Sequence, residues 1–229
     1  MATRSKRVEQ GNATRAELLR VALELFGKRG YAETSLDAIV QAAGITKGAF
    51  YHHFSGKEEI FLRVFEMVKK ELSRATFITH QEYISSLVND KREPGKAPFR
   101  FTSEQDSDEV WRDLLDRCRR YIEVHTDPQV RRIVLVDARS VLKWDDWHKI
   151  ENEYGVVILR ANLRRAMVHG LIKQLPLVTL ANMLAGALNE ACMLVAHSQD
   201  PQQALDEATL IIEQLLTGIR NQGNTLTDA

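Results

Sequence analysis

Apolar residues recur every three or four positions along most of the chain and rarely alternate, a pattern that predicts helices rather than strands. After a polar, basic arm from Met1 to Asn12, Thr14 and Glu17 have the spacing of a capping box. Leu18, Leu19, Ala22, Leu25 and Phe26 then mark a helix that Gly30 ends. Ser55 and Glu58 have the same box spacing and open a helix carrying Ile60, Phe61, Val64, Phe65, Val68 and Leu72. A short amphipathic stretch from Ile78 to Val88 precedes a loop, Asn89 to Pro98, that has charge, Pro and Gly but no periodicity. Asp108 to His125 is strongly periodic, and Asp127-Pro128 caps and starts another helix that breaks near Val141 to Lys143. One long helix is predicted over Asp145 to His169, with Trp147, Ile150, Tyr154, Val157, Ile158, Ala161 and Leu163 inward. Two more follow, Leu177 to Val195 and one starting at Asp200-Pro201, before a polar tail from Gln222.

The stretch from Ser35 to Lys57 reads differently. Ser35, or Thr34 beside it, can cap a helix with Leu36, Ile39, Val40 and Ala43 on its apolar side. Gly44 can close that helix in the left-handed conformation, and Thr46 caps the next almost at once, so the two must cross steeply. The second helix has Ile45, Phe50 and Phe54 to anchor it. Thr46, Lys47, Tyr51, His52 and His53 supply hydroxyls, a cation and imidazoles on the remaining surface. Gly48 lowers helix stability by roughly 1 kcal/mol relative to Ala, which points to something approaching that backbone. This is helix-turn-helix spacing, in which the second helix enters a DNA major groove.

Leu25-Phe26, Gly30-Tyr31, Thr34-Ser35-Leu36, Ala43 to Gly48, Phe50 to Phe54 and Lys57-Glu58 together resemble the DNA-binding domain of the tetracycline-repressor (TetR) family of bacterial regulators, over about a quarter of the chain. Val40 stands where that family often has Ala, and Gly56 where it often has Ser or Asp. The resemblance implies an all-α protein with two domains. Residues 1–57 would form the helix-turn-helix domain with its basic arm, and 58–229 a helical regulatory and dimerisation domain. It also implies a homodimeric repressor of a palindromic operator, released by a small molecule, without cofactor or metal. Ser35, Thr46, Lys47, Gly48, Tyr51, His52 and Lys57 are the expected DNA contacts, with Lys47 on a base and Lys57 on a phosphate.

The formal net charge of zero would by itself argue against a nucleic-acid partner, but its distribution does not. Residues 1–57 hold nine basic against five acidic side chains, a net +4, which leaves −4 on the rest. Cys118 and Cys192 have no redox or metal spacing, there is no secretory signal pattern, and no uninterrupted apolar run is long enough to span a bilayer. A cytoplasmic protein is the expectation from these features.

In the body, Trp111, Cys118, Tyr121 and His125 share one helix face, and Trp144, Trp147, Tyr154 and Met183 lie on others. They are candidates for an effector pocket, with Arg139 and Asn189 as polar anchors, and equally the residues of an ordinary core. The last two helices carry more apolar surface than one neighbour covers. Ala185, Gly186, Leu188, Ile212 and Leu215 are the candidate dimer seam. Two other classes fit less well. An enzyme would need a nucleophile near a base, yet Cys118 and His125 are roughly 10 Å apart at about 1.5 Å per helical residue. No phosphate loop, His-Glu-x-x-His or zinc spacing occurs. A protein-binding scaffold leaves the grouping of Thr46, Lys47, Gly48, Tyr51 and His52 without a purpose.

Overall fold

The computed structural model describes residues 2–77 and 107–221. The stretches read at 78–88 and 89–98 and the tail 222–229 lie outside the described residues. Helices make up the described chain: α1 (Ala2–Arg29), α2 (Leu36–Ala42), α3 (Lys47–Tyr51), α4 (Lys57–Phe77), α5 (Ser107–His125), α6 (Pro128–Arg131), α7 (Ala138–Val141), α8 (Trp144–Glu151), α9 (Val157–Val168), α10 (Leu177–His197) and α11 (Pro201–Gly218). Two π-helical turns interrupt them, π1 (Arg132–Asp137) and π2 (Asn152–Val156).

The chain divides into two compact units, one of residues 1–71 with 125–153, the other of 72–124 with 154–229. The first unit therefore contains more than the helix-turn-helix boundary at residue 57 suggests, since residues from α6 to α8 pack in it.

Three local readings change. The basic arm is helical, because α1 already starts at Ala2. Thr14 is consequently interior to a helix and forms no capping box. Its Oγ1 donates to the Gln10 carbonyl at 3.0 Å, and Glu17 pairs with Arg20 instead. At the start of α4 the Ser55 N–H donates to Glu59 Oε2 at 2.6 Å, so Glu59 rather than Glu58 closes that end. This backbone bond holds the Glu59 carboxyl below the usual range.

The helix predicted over 145–169 is real but contains π2. A π turn takes in more residues than an α turn, which rotates everything after it relative to a 3.6-residue pattern. Val156 is accordingly buried and Val157 is exposed, the reverse of the uninterrupted reading.

The core of the first unit is Leu18, Val21, Ala22 and Phe26 of α1, Ile39 and Val40 of α2, Phe50, Phe54, and Ile60, Phe61, Val64 and Phe65 of α4. The Phe61 ring stands edge-on to Phe26 and Tyr31, with centroids 5.1 and 5.0 Å away. Lys69, only 2% exposed, pairs with Glu151 at 3.0 Å. In the second unit Leu114, Cys118 and Ile122 of α5, Leu163 and Ala166 of α9, Leu184, Leu188 and Cys192 of α10, and Ile212 and Leu216 of α11 are buried. Arg165 binds Asp113 at 3.0 Å, and the Tyr121 hydroxyl donates to Asn189 Oδ1 at 2.6 Å.

Candidate nucleic-acid interface

Caps and a tight turn build the helix pair. Ser35 Oγ accepts from the Ala38 N–H at 3.1 Å, so Ser35 is the cap of α2. Thr34 acts elsewhere. It is fully buried, and its hydroxyl donates to the Gly30 carbonyl at 2.8 Å and secures the end of α1. Gly44 has φ +65°, where a side chain would be strained, and the Gly44 and Ile45 amides donate to Gln41 and Val40 carbonyls. Thr46 then caps α3, its Oγ1 accepting from the Ala49 N–H at 3.2 Å.

Phe50 and Phe54 are buried with ring centroids 5.7 Å apart, and the Arg15 guanidinium lies over Phe54 at 5.1 Å. These anchors fix which side of α3 faces water. Thr46, Lys47, Gly48, Tyr51 and His52 all lie exposed there, with Tyr51 at 58%. A Cβ added to Gly48 would meet Thr46 Oγ1 at 3.9 Å and, among the described residues, nothing else that crowds that backbone.

Two lysines have partners that spacing did not reveal. Lys47 Nζ lies 2.6 Å from Asp37 Oδ1 of α2. Lys57 Nζ donates to the Tyr31 carbonyl at 2.8 Å and sits 4.0 Å from the centre of that residue's ring. Lys57 thus ties the start of α4 to the turn after α1. The Tyr31 N–H in turn donates to Asp137 Oδ2 at 2.8 Å. Asp137 lies 106 positions away in sequence, beyond the reach of any local pattern.

The residues expected to line an effector pocket are divided. Trp111, Cys118, Tyr121 and Tyr154 belong to the second unit, whereas His125 and Trp147 belong to the first. Trp111 is buried with Arg220 over its ring at 4.5 Å, and Tyr121 is engaged by Asn189. Burial pushes the Cys118 thiol up to about 12, so it is no activated nucleophile. Trp144 and Met183 are corrections. Both are exposed, and the Arg139 guanidinium lies over the Trp147 ring at 5.4 Å from its centre.

The seam also changes. Leu188 and Ile212 are buried against their own unit, because they continue the inward stripes of α10 and α11. Ala185 is half-buried, and Gly186 and Leu215 face outward. Exposed with them are Met183, Leu194, Leu210 and Ile211, which the sequence reading did not assign to the seam. By length and composition α10 is apolar enough to cross a membrane, and this outward apolar surface is part of the reason.

Residues 18–64 match the family of bacterial regulatory proteins of the tetR type, and residues 111–219 match the tetracyclin repressor-like C-terminal domain. The transcriptional regulator AcrR of Shigella flexneri is 39% identical over 72 residues, covering 31% of this chain and about a third (33%) of that protein's own length. The TetC protein of transposon Tn10 from Escherichia coli is 25% identical over 186 residues, 81% of this chain and 82% of that one. A TetR-family regulator from Pectobacterium atrosepticum shares the fold with a TM-score of 0.66 and 28% identity, covering 93% of this chain and 97% of its own. With its capped helix pair in the N-terminal match and its helical body in the C-terminal one, the chain belongs to the tetracycline-repressor family of bacterial transcriptional regulators.

Proposed function

We propose that the protein is a homodimeric repressor in the cytoplasm that binds a palindromic operator and is released by a small molecule, without catalysing a reaction. Residues 1–57 carry DNA binding in this reading, and 58–229 carry regulation and dimerisation. The observation that supports it best is the face of α3. Phe50 and Phe54 hold the helix inward and leave Lys47, Gly48, Tyr51 and His52 together in water, on a helix the family uses for the major groove.

Dimerisation is supported by the apolar side chains of Met183 and Leu194 on α10 and Leu210, Ile211 and Leu215 on α11, which are exposed among the described residues. A twofold pair would cover them and place two recognition helices on half-sites about 34–36 Å apart per turn of DNA. For the effector, the second unit supplies Trp111, Cys118, Tyr121 and Tyr154. Asn162 of the same unit has a buried Nδ2 with no hydrogen-bond partner among the described residues. An acceptor on a ligand would satisfy that amide. Such a ligand releases DNA only through differential affinity for two states of the protein.

The test is footprinting of the protein on DNA flanking its own gene, followed by screening metabolites for release. Protection of a palindrome, lost on adding one compound, is the expected result. Absence of any salt-sensitive duplex binding would overturn the reading.

A further inference from the structure

We propose that Asp37 is a specificity-determining positioning residue. It holds Lys47 for a neutral acceptor on a base edge and keeps that ammonium from serving as a general phosphate contact. The inference rests on the DNA-binding reading above and deepens it.

The geometry is a close pair between the two helices of the motif. Asp37 is in the first turn of α2, Lys47 is the first residue of α3, and Nζ stands 2.6 Å from Oδ1. Both side chains are exposed, as are those of Tyr51 and His52. An exposed pair of this kind adds little to folding. Its consequence lies in what it does to the ammonium, which keeps its proton more firmly through the hydrogen bond and charge of Asp37.

Two effects follow. A lysine stem is flexible, and tethering its end removes rotational freedom before DNA arrives, so less is lost on contact. Charge is the second effect. Lys47 with Asp37 beside it is locally neutral, so the pair neutralises no phosphate while it stays intact. For Lys47 to reach a phosphate it must leave Asp37, or bring the phosphate up to a carboxylate, and like charges brought together are disfavoured. Guanine O6 and N7 carry no formal charge, and an ammonium has three donors. Lys47 can therefore keep one on Asp37 and give another to a base. Asp37 penalises the non-specific mode and spares the specific one.

The experiment compares wild type with D37N, D37E, K47A and the double variant D37N/K47A. Each is titrated against a palindromic duplex that the wild type selects from a random library, and against a random-sequence duplex of equal length, over a range of salt. D37N is expected to bind the random duplex several-fold more tightly. Its salt slope should steepen by about 0.9 for each recognition helix engaged. Its specificity ratio should fall on the order of threefold to tenfold, about the discrimination a single polar contact supplies. D37E should keep the wild-type ratio. In the K47A background D37N should relieve only the carboxylate's own repulsion of DNA, alike for both duplexes, and leave the specificity ratio unchanged, because Asp37 sets that ratio through Lys47. An unchanged ratio in D37N, or an equal fall in the ratio with and without Lys47, overturns the assignment while leaving DNA binding intact. A wild type that selects no duplex overturns the DNA-binding reading and this inference together.

Discussion

Asp137 makes the contact whose loss is most directly measurable. Its Oδ2 accepts from the Tyr31 N–H at 2.8 Å, within one compact unit, at the turn that leads from α1 to α2. Arg132, at the other end of the same π turn, lies beside it, with Nη1 at 3.4 Å from the Arg29 carbonyl. The Tyr31 carbonyl is held from the opposite side by Lys57, so both polar groups of one peptide segment are fixed by side chains. A hydrogen bond to a charged acceptor contributes about 1.5–3 kcal/mol and a neutral one about 0.5–1.5. Asp137→Ala removes the acceptor, and a loss of about 2 kcal/mol from the local opening energy is expected. Asp137→Asn keeps an oxygen in reach and should lose roughly half as much.

The assay is amide hydrogen exchange resolved at Tyr31. At about 1.4 kcal/mol per factor of ten, Asp137→Ala should exchange this amide roughly thirtyfold faster, and Asp137→Asn about fivefold. Amides in the second unit should keep their wild-type rates. A Tyr31 amide that exchanges at the same rate in wild type and Asp137→Ala would show that Asp137 holds nothing there, whatever the distance suggests.

Other contacts give further outcomes. Glu151→Gln leaves a buried ammonium at Lys69 and should destabilise by about 3–5 kcal/mol, with much recovered by Lys69→Met/Glu151→Leu; a thermal melt within one degree of wild type would sink that account. Lys57→Ala should lower stability by about 1–2 kcal/mol through loss of the Tyr31 bond and ring contact, and a salt slope for operator binding that stays within half a unit of wild type would mark its role as internal. Leu215→Glu should give monomers by sedimentation with native helicity, while Leu188→Glu should lose folding instead; the reverse pattern would exchange the outer and inner faces of the last two helices.

Most of the fold was legible because it is written in local terms. The inward stripes of α4, α5 and α11 follow a 3.6-residue period, and Ser35, Thr46, Asp127 and Asp200 accept from the helix amides that their positions predict. The misses share a cause. A capping box is only a spacing, and Thr14 has that spacing inside a helix that begins twelve residues earlier. Periodicity assumes a constant turn, and π2 changes the turn at Asn152, which moves Val157 outward without altering the composition of the stripe.

The site divides along the same line. That α3 would be anchored by Phe50 and Phe54 and would present Lys47, Tyr51 and His52 follows from side-chain chemistry at helical spacing, and the structure places them so. What spacing conveys is which residues face outward, whereas what each can do depends on a neighbour from another element. Sequence position alone set Lys47 against a base and Lys57 against a phosphate, two cations flanking one short helix. One faces a carboxylate from α2 and the other a carbonyl and a ring from the turn after α1. The first partner carries a charge that opposes phosphate, and the second carries none. The two lysines should therefore respond differently to the same salt titration: Lys47 through the carboxylate that accompanies it, Lys57 through the stability of the turn it secures.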